Sequence, residues 1–209
     1  PQCTHLEPFD MHGWHPNPNV SEDENMMEMV LLVTRNSKCR QGHMACALVH
    51  PGQDSSPLLS RIVSAAINTS VYKEGDSDNH AEINALGEAA KFGRATQGCT
   101  AYVTMPPCKR CFGALVTAGI TRIVSQRPIL EPVASAAKKW KVETTVLEPE
   151  ALAKRVAMYI RPNPDVVLAN RKARKQESRE RKRKASKARC PETAKKQGQS
   201  PSDENAPSE

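Results

Sequence analysis

Aromatic side chains are scarce in this sequence. They make up 4 % of 209 residues, as two Trp, three Tyr and three Phe. That scarcity counts against aromatic-rich loops of the kind that stack the bases of single strands. Long apolar runs are also missing. No stretch approaches the ~18 apolar residues of a membrane-spanning helix. The opening residues, PQCTHLEPFDMHGWH, pair no basic segment with an apolar run, so no secretory signal is expected. Without one, seven cysteines predict a reducing compartment, with thiols or metal ligands rather than disulfides. Hydrophobic residues are only 38 %, and the mean hydropathy is −0.58. Such values fit one compact core with polar tails, and the length allows little more than one domain.

Charge is present but uneven. The net charge is +7. Residues 171–189 hold eleven Lys/Arg and two Glu, a local +9 that leaves −2 for the rest. The basic character thus belongs to a tail. Its RKARK and RKRK clusters are of the kind read by import receptors or by nucleic acid.

Periodicity and caps give the order of elements. Residues 1–20 show no period and read as an irregular segment. Ser21 followed by Glu24 has capping-box spacing and predicts a helix over 23–35. Apolar runs predict strands at 43–50 and 61–67, forming a hairpin around the loop 52–60. Helices follow at 81–91, 109–118, 132–140 and 149–159, alternating with strands at 100–104, 122–125 and 142–147. A hairpin followed by βα alternation predicts an α/β fold of three layers, with a mixed five-stranded sheet between helices. The domain would run over 21–160, and 161–209 would be a basic, largely disordered tail.

Two short motifs carry chemistry. His80-Ala81-Glu82 opens one predicted helix, and Pro107-Cys108-Lys109-Arg110-Cys111 opens another. Helix N-termini stabilise thiolates, and Cys-x-x-Cys spacing puts two sulfurs within reach of one ion. One His and two Cys leave a fourth zinc position open, as in catalytic sites. Glu82 stands two residues from His80 and is the group available to move protons. Alone, a Cys-x-x-Cys is often a redox pair or half of a structural zinc site. The pairing with His-x-Glu is what makes catalytic zinc the stronger reading.

These residues resemble the zinc-dependent cytidine/deoxycytidylate deaminase superfamily, whose signature is H-x-E…P-C-x-x-C. HAEINAL and AYVTMPPCKRC match its two zinc motifs, and FGALVTAGITRIV matches the helix and strand that follow. The opening is most like the deoxycytidylate deaminase branch. There a helix is followed by Arg-Ser-x-Cys and a strand; here Arg35-Asn36-Ser37-Lys38-Cys39 precedes HMACALV. The branch's Gly-Tyr-Asn-Gly is Ala66-Ile67-Asn68-Thr69 here, with only the Asn kept. The resemblance implies zinc on His80, Cys108 and Cys111, with Glu82 as proton carrier. It also implies substrate contacts by Asn68 and Ala81, and a homo-oligomer. The implied reaction converts a cytosine nucleotide, dCMP or a relative, to the uracil nucleotide and ammonia. A nucleic-acid-editing deaminase acting on tRNA or single-stranded DNA is the alternative that the basic tail keeps open. A catalytically silent zinc-binding partner subunit is a third, against which the intact Glu82 argues.

The other candidates have plainer readings. Cys3, His5, His12 and His15 fit an irregular His-rich terminus better than a second metal cluster, which some deoxycytidylate deaminases carry. Cys39, Cys46 and Cys99 read as buried thiols, and His43 and His50 as strand-edge residues. Phe112 and Trp140 read as core. Lys73, Lys109 and Arg110 are candidates for phosphate, although most surface cations contact nothing. The expected location is the nucleus or cytoplasm, with no membrane association.

The tail generates its own test. Deleting all residues after Asn170 is expected to leave free-nucleotide turnover intact and to reduce nuclear accumulation in a eukaryotic cell. Loss of turnover in the truncated protein would instead place the tail in the fold or the site.

Overall fold

Helix α1, Glu22–Thr34, starts where its cap demands. The Ser21 hydroxyl accepts from the Glu24 N–H at 3.2 Å, and the Glu24 carboxylate accepts from the Ser21 N–H at 3.1 Å. Both arms of the capping box are therefore formed. The remaining elements, in a computed structural model that describes residues 6–52 and 56–159, follow the expected order. Strand β1 is Ala45–Val49 and β2 is Ile62–Ile67, with a 3-10 turn at Leu58–Arg61 inside the hairpin loop. Then come α2 (Ala81–Lys91), β3 (Thr100–Val103), α3 (Lys109–Thr117), β4 (Arg122–Ser125), α4 (Val133–Lys139), β5 (Glu143–Val146) and α5 (Pro149–Tyr159). All of them lie in one compact unit, within Pro1–Arg161. The tail calls on 161–209, including the cluster at 171–189, lie outside the described residues, and so does Cys190.

The five strands form one sheet in the order β2-β1-β3-β4-β5. Strand β1 is antiparallel to both β2 and β3, whereas β3, β4 and β5 run parallel. Alternation along each strand sorts the core into two layers. Ala45, Ala47, Val49, Tyr102 and Val124 face α1 and α5. Cys46, Leu48, Ala101, Val103 and Ile123 face α2, α3 and α4. Small residues dominate the second layer. Ala81, Ala85 and Ala89 recur every four residues along α2, which lets that helix lie close to the sheet.

Two expectations are corrected. The irregular N-terminal segment is not a mere appendage, because Leu6 and Trp14 are buried in the α1 core layer. The Trp14 Nε1–H donates to Glu28 at 3.3 Å, which satisfies the indole as it enters. Trp140, expected in the core, is 61 % exposed. Val133 and Ala137 face the sheet, but α4 ends at Lys139, before Trp140 can join them. Phe112, Cys39, Cys46 and Cys99 are buried as expected.

An ionic network fixes α1 across the sheet. Asp23 takes a bidentate pair of bonds from Arg122 of β4, both 2.7 Å, and a third from the Tyr102 hydroxyl of β3 at 2.8 Å. Arg122 also donates to Glu143 and Thr145 of β5. Arg155 of α5 reaches Glu24 and the buried Glu28. The Arg122 guanidinium holds the Asp23 carboxyl below its ordinary range, despite burial.

A depressed carboxyl contributes stability that is present above its unfolded pKa and fades as pH falls through the folded value. Asp23→Asn is therefore expected to cost about 1.5–3 kcal/mol in urea unfolding at neutral pH. The gap to wild type should shrink only below pH ~3.8, the unfolded value. An unchanged midpoint at pH 7 would show that the network stabilises nothing.

Candidate metal centre and active site

Three donor atoms converge at one end of the sheet. His80 is the N-cap of α2, held in extended backbone by a two-way bridge just before it. The Thr69 N–H donates to the Asn79 carbonyl and the Asn79 N–H to the Thr69 carbonyl, both at 3.0 Å. Cys108 is the N-cap of α3, and Cys111 lies one turn on. The carboxyl end of β3 delivers the chain to Cys108 through Thr104, whose N–H donates to the Ala45 carbonyl at 3.2 Å. The His80 Nδ1 stands 3.8 Å from Cys108 Sγ and 3.4 Å from Cys111 Sγ, and the three atoms lie within 4.8 Å of one another.

That triangle fits a tetrahedral zinc. Bonds of about 2.3 Å to sulfur and 2.1 Å to nitrogen put S and N about 3.6 Å apart, between the two observed separations. Among the described residues this is the cluster of His, Cys and acidic groups placed to hold an ion. Two thiolates with one imidazole are borderline-soft donors that suit zinc, and three donors leave a position free for chemistry.

Glu82 sits beside this cluster but outside it. It is 6 % exposed, in the first turn of α2, with its carboxyl against the Cys111 thiol. Burial pushes its pKa up, partly offset by its own backbone N–H and by His80. A bound cation would pull it back down. Burial likewise pushes the Cys111 and Cys46 thiols up, and the Glu82 charge adds to both. Cys46, fully buried in β1, thus lies next to the site as well. The sequence reading left it as core, and only its place on the α2 face of β1 tells otherwise. Ala81 is 1 % exposed at the first position of α2, where a backbone N–H has no intrahelical acceptor.

Asn68 follows directly on β2, at the end of the second strand as expected. Its side chain is buried and uses every hydrogen-bonding position inside the protein. Oδ1 accepts from the Ser37 hydroxyl at 2.7 Å and the Met44 N–H at 3.0 Å. Nδ2 donates to the Gly42 carbonyl and to Ser77 Oγ, both at 2.8 Å. The amide thereby ties the α1–β1 and β2–α2 loops together next to the His80 bridge, and a sugar hydroxyl would have to displace one of these partners. Asn84, which sequence reading missed, donates to the Ile67 carbonyl at 2.8 Å and to Thr69 Oγ1 at 2.9 Å. It fastens the start of α2 to the end of β2.

The N-terminal Cys/His expectation is met only in part by described residues. His12 pairs with Asp10 at 3.3 Å, and His15 is exposed; Cys3 and His5 lie outside the described residues. His50 contacts Cys99 at 3.4 Å at the opposite end of the sheet, where burial raises that thiol to about 11.

With the geometry in place, comparison with known proteins is decisive at the family level. A family model described as the cytidine and deoxycytidylate deaminase zinc-binding region matches residues 20–126, just over half of the chain. The chain belongs to this family. His80, Glu82, Cys108 and Cys111 all fall inside the matched stretch, so the three-donor cluster is the zinc-binding centre of a deaminase-family domain. The deoxycytidylate deaminase of Enterobacteria phage T4 is 41 % identical over 66 residues, 31 % of this chain and 34 % of that protein. A tRNA-specific adenosine deaminase of Buchnera aphidicola subsp. Baizongia pistaciae is 38 % identical over 65 residues, 30 % of this chain and 40 % of that protein. The chain spans about a third of the length of the curated phage relatives it matches. In fold it is similar to the dCMP deaminase of cyanophage S-TIM5, with a TM-score of 0.51 at 20 % identity over 63 % of this chain and 99 % of that one. No helix among the described residues is long and apolar enough to cross a membrane.

The division of labour within the centre is testable by metal analysis. Cys111→Ala is expected to lose the metal, whereas Glu82→Ala should keep about one zinc per chain, because a fourth protein ligand is absent from catalytic sites. Zinc loss in the Glu82 variant would make the carboxylate a ligand.

Proposed function

We propose that the protein catalyses hydrolytic deamination of a cytosine nucleotide, dCMP or a related deoxycytidine nucleotide, to the uracil nucleotide and ammonia. The observation that carries this reading is Glu82, a buried carboxylate touching a ligand thiol without being needed as a ligand. The 41 % identity to a phage deoxycytidylate deaminase supports the substrate class.

Zinc on His80, Cys108 and Cys111 supplies Lewis acidity, which makes a hydroxide nucleophile accessible near neutral pH. Glu82 takes the proton of the attacking water. It delivers that proton to ring N3 as the C4–O bond forms, then takes the proton of the new C4 hydroxyl and passes it to the amine as the C4–N bond breaks. Its buried setting keeps its pKa closer to neutrality than that of a free carboxylate, which suits a group that must both accept and donate. The free Ala81 N–H at the start of α2 is placed to donate to the base, and the α2 N-terminus favours anionic character there. Asn68 acts by holding together the two loops that frame the site. The protein works as a homo-oligomer, and the basic tail serves as a docking arm for an import receptor, which would put the enzyme in the nucleus as well as the cytoplasm.

Deamination within a nucleic acid is the second reading. It is favoured by the 38 % identity to a tRNA-specific adenosine deaminase and by the +9 tail. A silent partner subunit is the third, and the intact Glu82 speaks against it.

Ammonia release from zinc-loaded protein separates the three. dCMP is expected to exceed deoxycytidine, cytosine and cytosine-containing oligonucleotides in kcat/KM by at least about tenfold. Glu82→Ala should lower turnover by about 10²–10⁴-fold, the usual worth of positioned acid–base catalysis. Oligonucleotides outpacing dCMP would establish the second reading, and zinc-replete protein with no turnover on any of them the third.

A further inference from the structure

Helix α3 begins against the electrostatic rule. The first turn of a helix favours acids, since its free N–H groups carry partial positive charge. Helix α1 follows this with Glu22, Asp23 and Glu24, α2 with Glu82, and α5 with Glu150. Helix α3 instead opens on Lys109 and Arg110, with no acid in its first turn. Both are exposed, and neither forms an ion pair or hydrogen bond with a described residue. By contrast Arg61, Arg122 and Arg155 are all paired with carboxylates. Two cations that gain nothing from their own helix stand beside two ligand sulfurs.

They also wall a cleft. A cavity of about 450 Å³ opens over His80, Cys108 and Cys111, and Lys109, Arg110 and Asn79 are among the residues that line it. The Asn79 backbone is committed to the bridge with Thr69, but its half-buried side-chain amide has no partner among the described residues. Asp78 is the one acid among the lining residues. Its Oδ2 is turned into its own loop, accepting from the Val71 and Tyr72 N–H groups at 2.8 and 2.9 Å. With two thiolates and a divalent ion, the ligand set sums to zero and neutralises neither cation. The mouth of the cleft therefore presents two cations without carboxylate partners and an unpaired amide, against the single acid Asp78, above a ligand set that sums to zero. Opposite charge and charge-assisted donors suit a phosphate better than any neutral group.

We propose that Lys109 and Arg110, with Asn79 in the same cleft, form a phosphate-selecting gate over the metal centre, so that the site takes phosphorylated substrates in preference to nucleosides. The inference rests on the deaminase reading for its reaction but not for its ligand chemistry. The phosphate can belong to a free nucleotide or to a single strand, and the test separates these sources.

The experiment uses zinc-loaded full-length chain, as wild type, as Lys109→Gln/Arg110→Gln, and as the charge-keeping Lys109→Arg/Arg110→Lys. Binding of dUMP, deoxyuridine and a short oligodeoxyuridine is measured by calorimetry at low salt, alongside zinc content and kcat/KM for dCMP and deoxycytidine. The Gln pair is expected to lose about 10–100-fold in dUMP affinity, the range of one charge-assisted bond or two. Deoxyuridine affinity should change by less than about threefold, zinc should stay bound, and the charge-keeping pair should stay within about fivefold of wild type. Tighter wild-type binding of the oligonucleotide than of dUMP would assign the gate to a strand, and the reverse to a free nucleotide. Equal losses on dUMP and deoxyuridine, loss of zinc, or unchanged dUMP affinity would each overturn the gate. If wild type deaminates neither substrate while the dUMP loss appears, the deaminase reading fails and the gate stands. If dCMP is deaminated and the Gln pair changes nothing, the gate fails and the deaminase reading stands.

Discussion

Three donor atoms from two separate helix starts must meet within a few ångströms, and this requirement governs the rest of the structure. His80 and the two cysteines are 28 and 31 residues apart in sequence. Neither helix can be moved without breaking the triangle. The sheet meets the requirement by placing the end of β2 and the end of β3 on either side of β1. Because β1 runs antiparallel to both, its first residue, Ala45, lies between the two exits and binds Thr104 directly. The α2 alanines then let the helix settle close enough for His80 to face Cys111. A larger side chain at Ala85, which has no exposure, would lift the helix and the histidine with it.

Polar residues do the fine positioning. Asn68 spends its whole amide on Ser37, Gly42, Met44 and Ser77, and Asn84 fastens α2 to the end of β2. These are buried or half-buried bonds whose loss leaves unpaired groups behind, so each holds its loop more firmly than its net energy suggests. The Asp23–Arg122–Tyr102 network does the same for the opposite layer. It fixes α1 to β3 and β4, and β3 leads to Cys108 from its carboxyl end. Parallel strands placing a ligand site at that end follow the general rule for open α/β sheets.

The legibility of all this in the sequence follows from range. Ser21 and Glu24 are three residues apart, and their box fixed the start of α1 to within one residue. Glycine after α3, alternation in the strands and the two zinc motifs are equally local signals, so α2, β4 and α5 came out with the expected bounds. Range is what hid the rest. Trp14 enters the core by way of Glu28, in a segment with no period at all. Arg122 and Asp23 are 99 residues apart, and nothing near either one announces the pair. Trp140 reads as core because large aromatic residues are usually buried, yet α4 ends one residue before it and leaves it outside. Asn68 stands out for its motif, while its four partners, from two separate loops, could be seen only in the fold.

The same contrast bears on the centre itself. A carboxylate in an apolar pocket favours its neutral form, and one beside a cation favours its charged form. Glu82 meets both influences because one helix start supplies them both. Two residues after His80, it stays beside the donor cluster, and in the first turn of α2 it is buried. Its backbone N–H and the helix terminus stabilise the anion, while Cys46 and Cys111 around it offer little solvation. Burial is the larger influence and raises its pKa, and its own backbone N–H and His80 offset part of that rise. The short spacing of His80 and Glu82 is thus more than a motif: it puts one side chain in an apolar setting and beside the donor cluster at once.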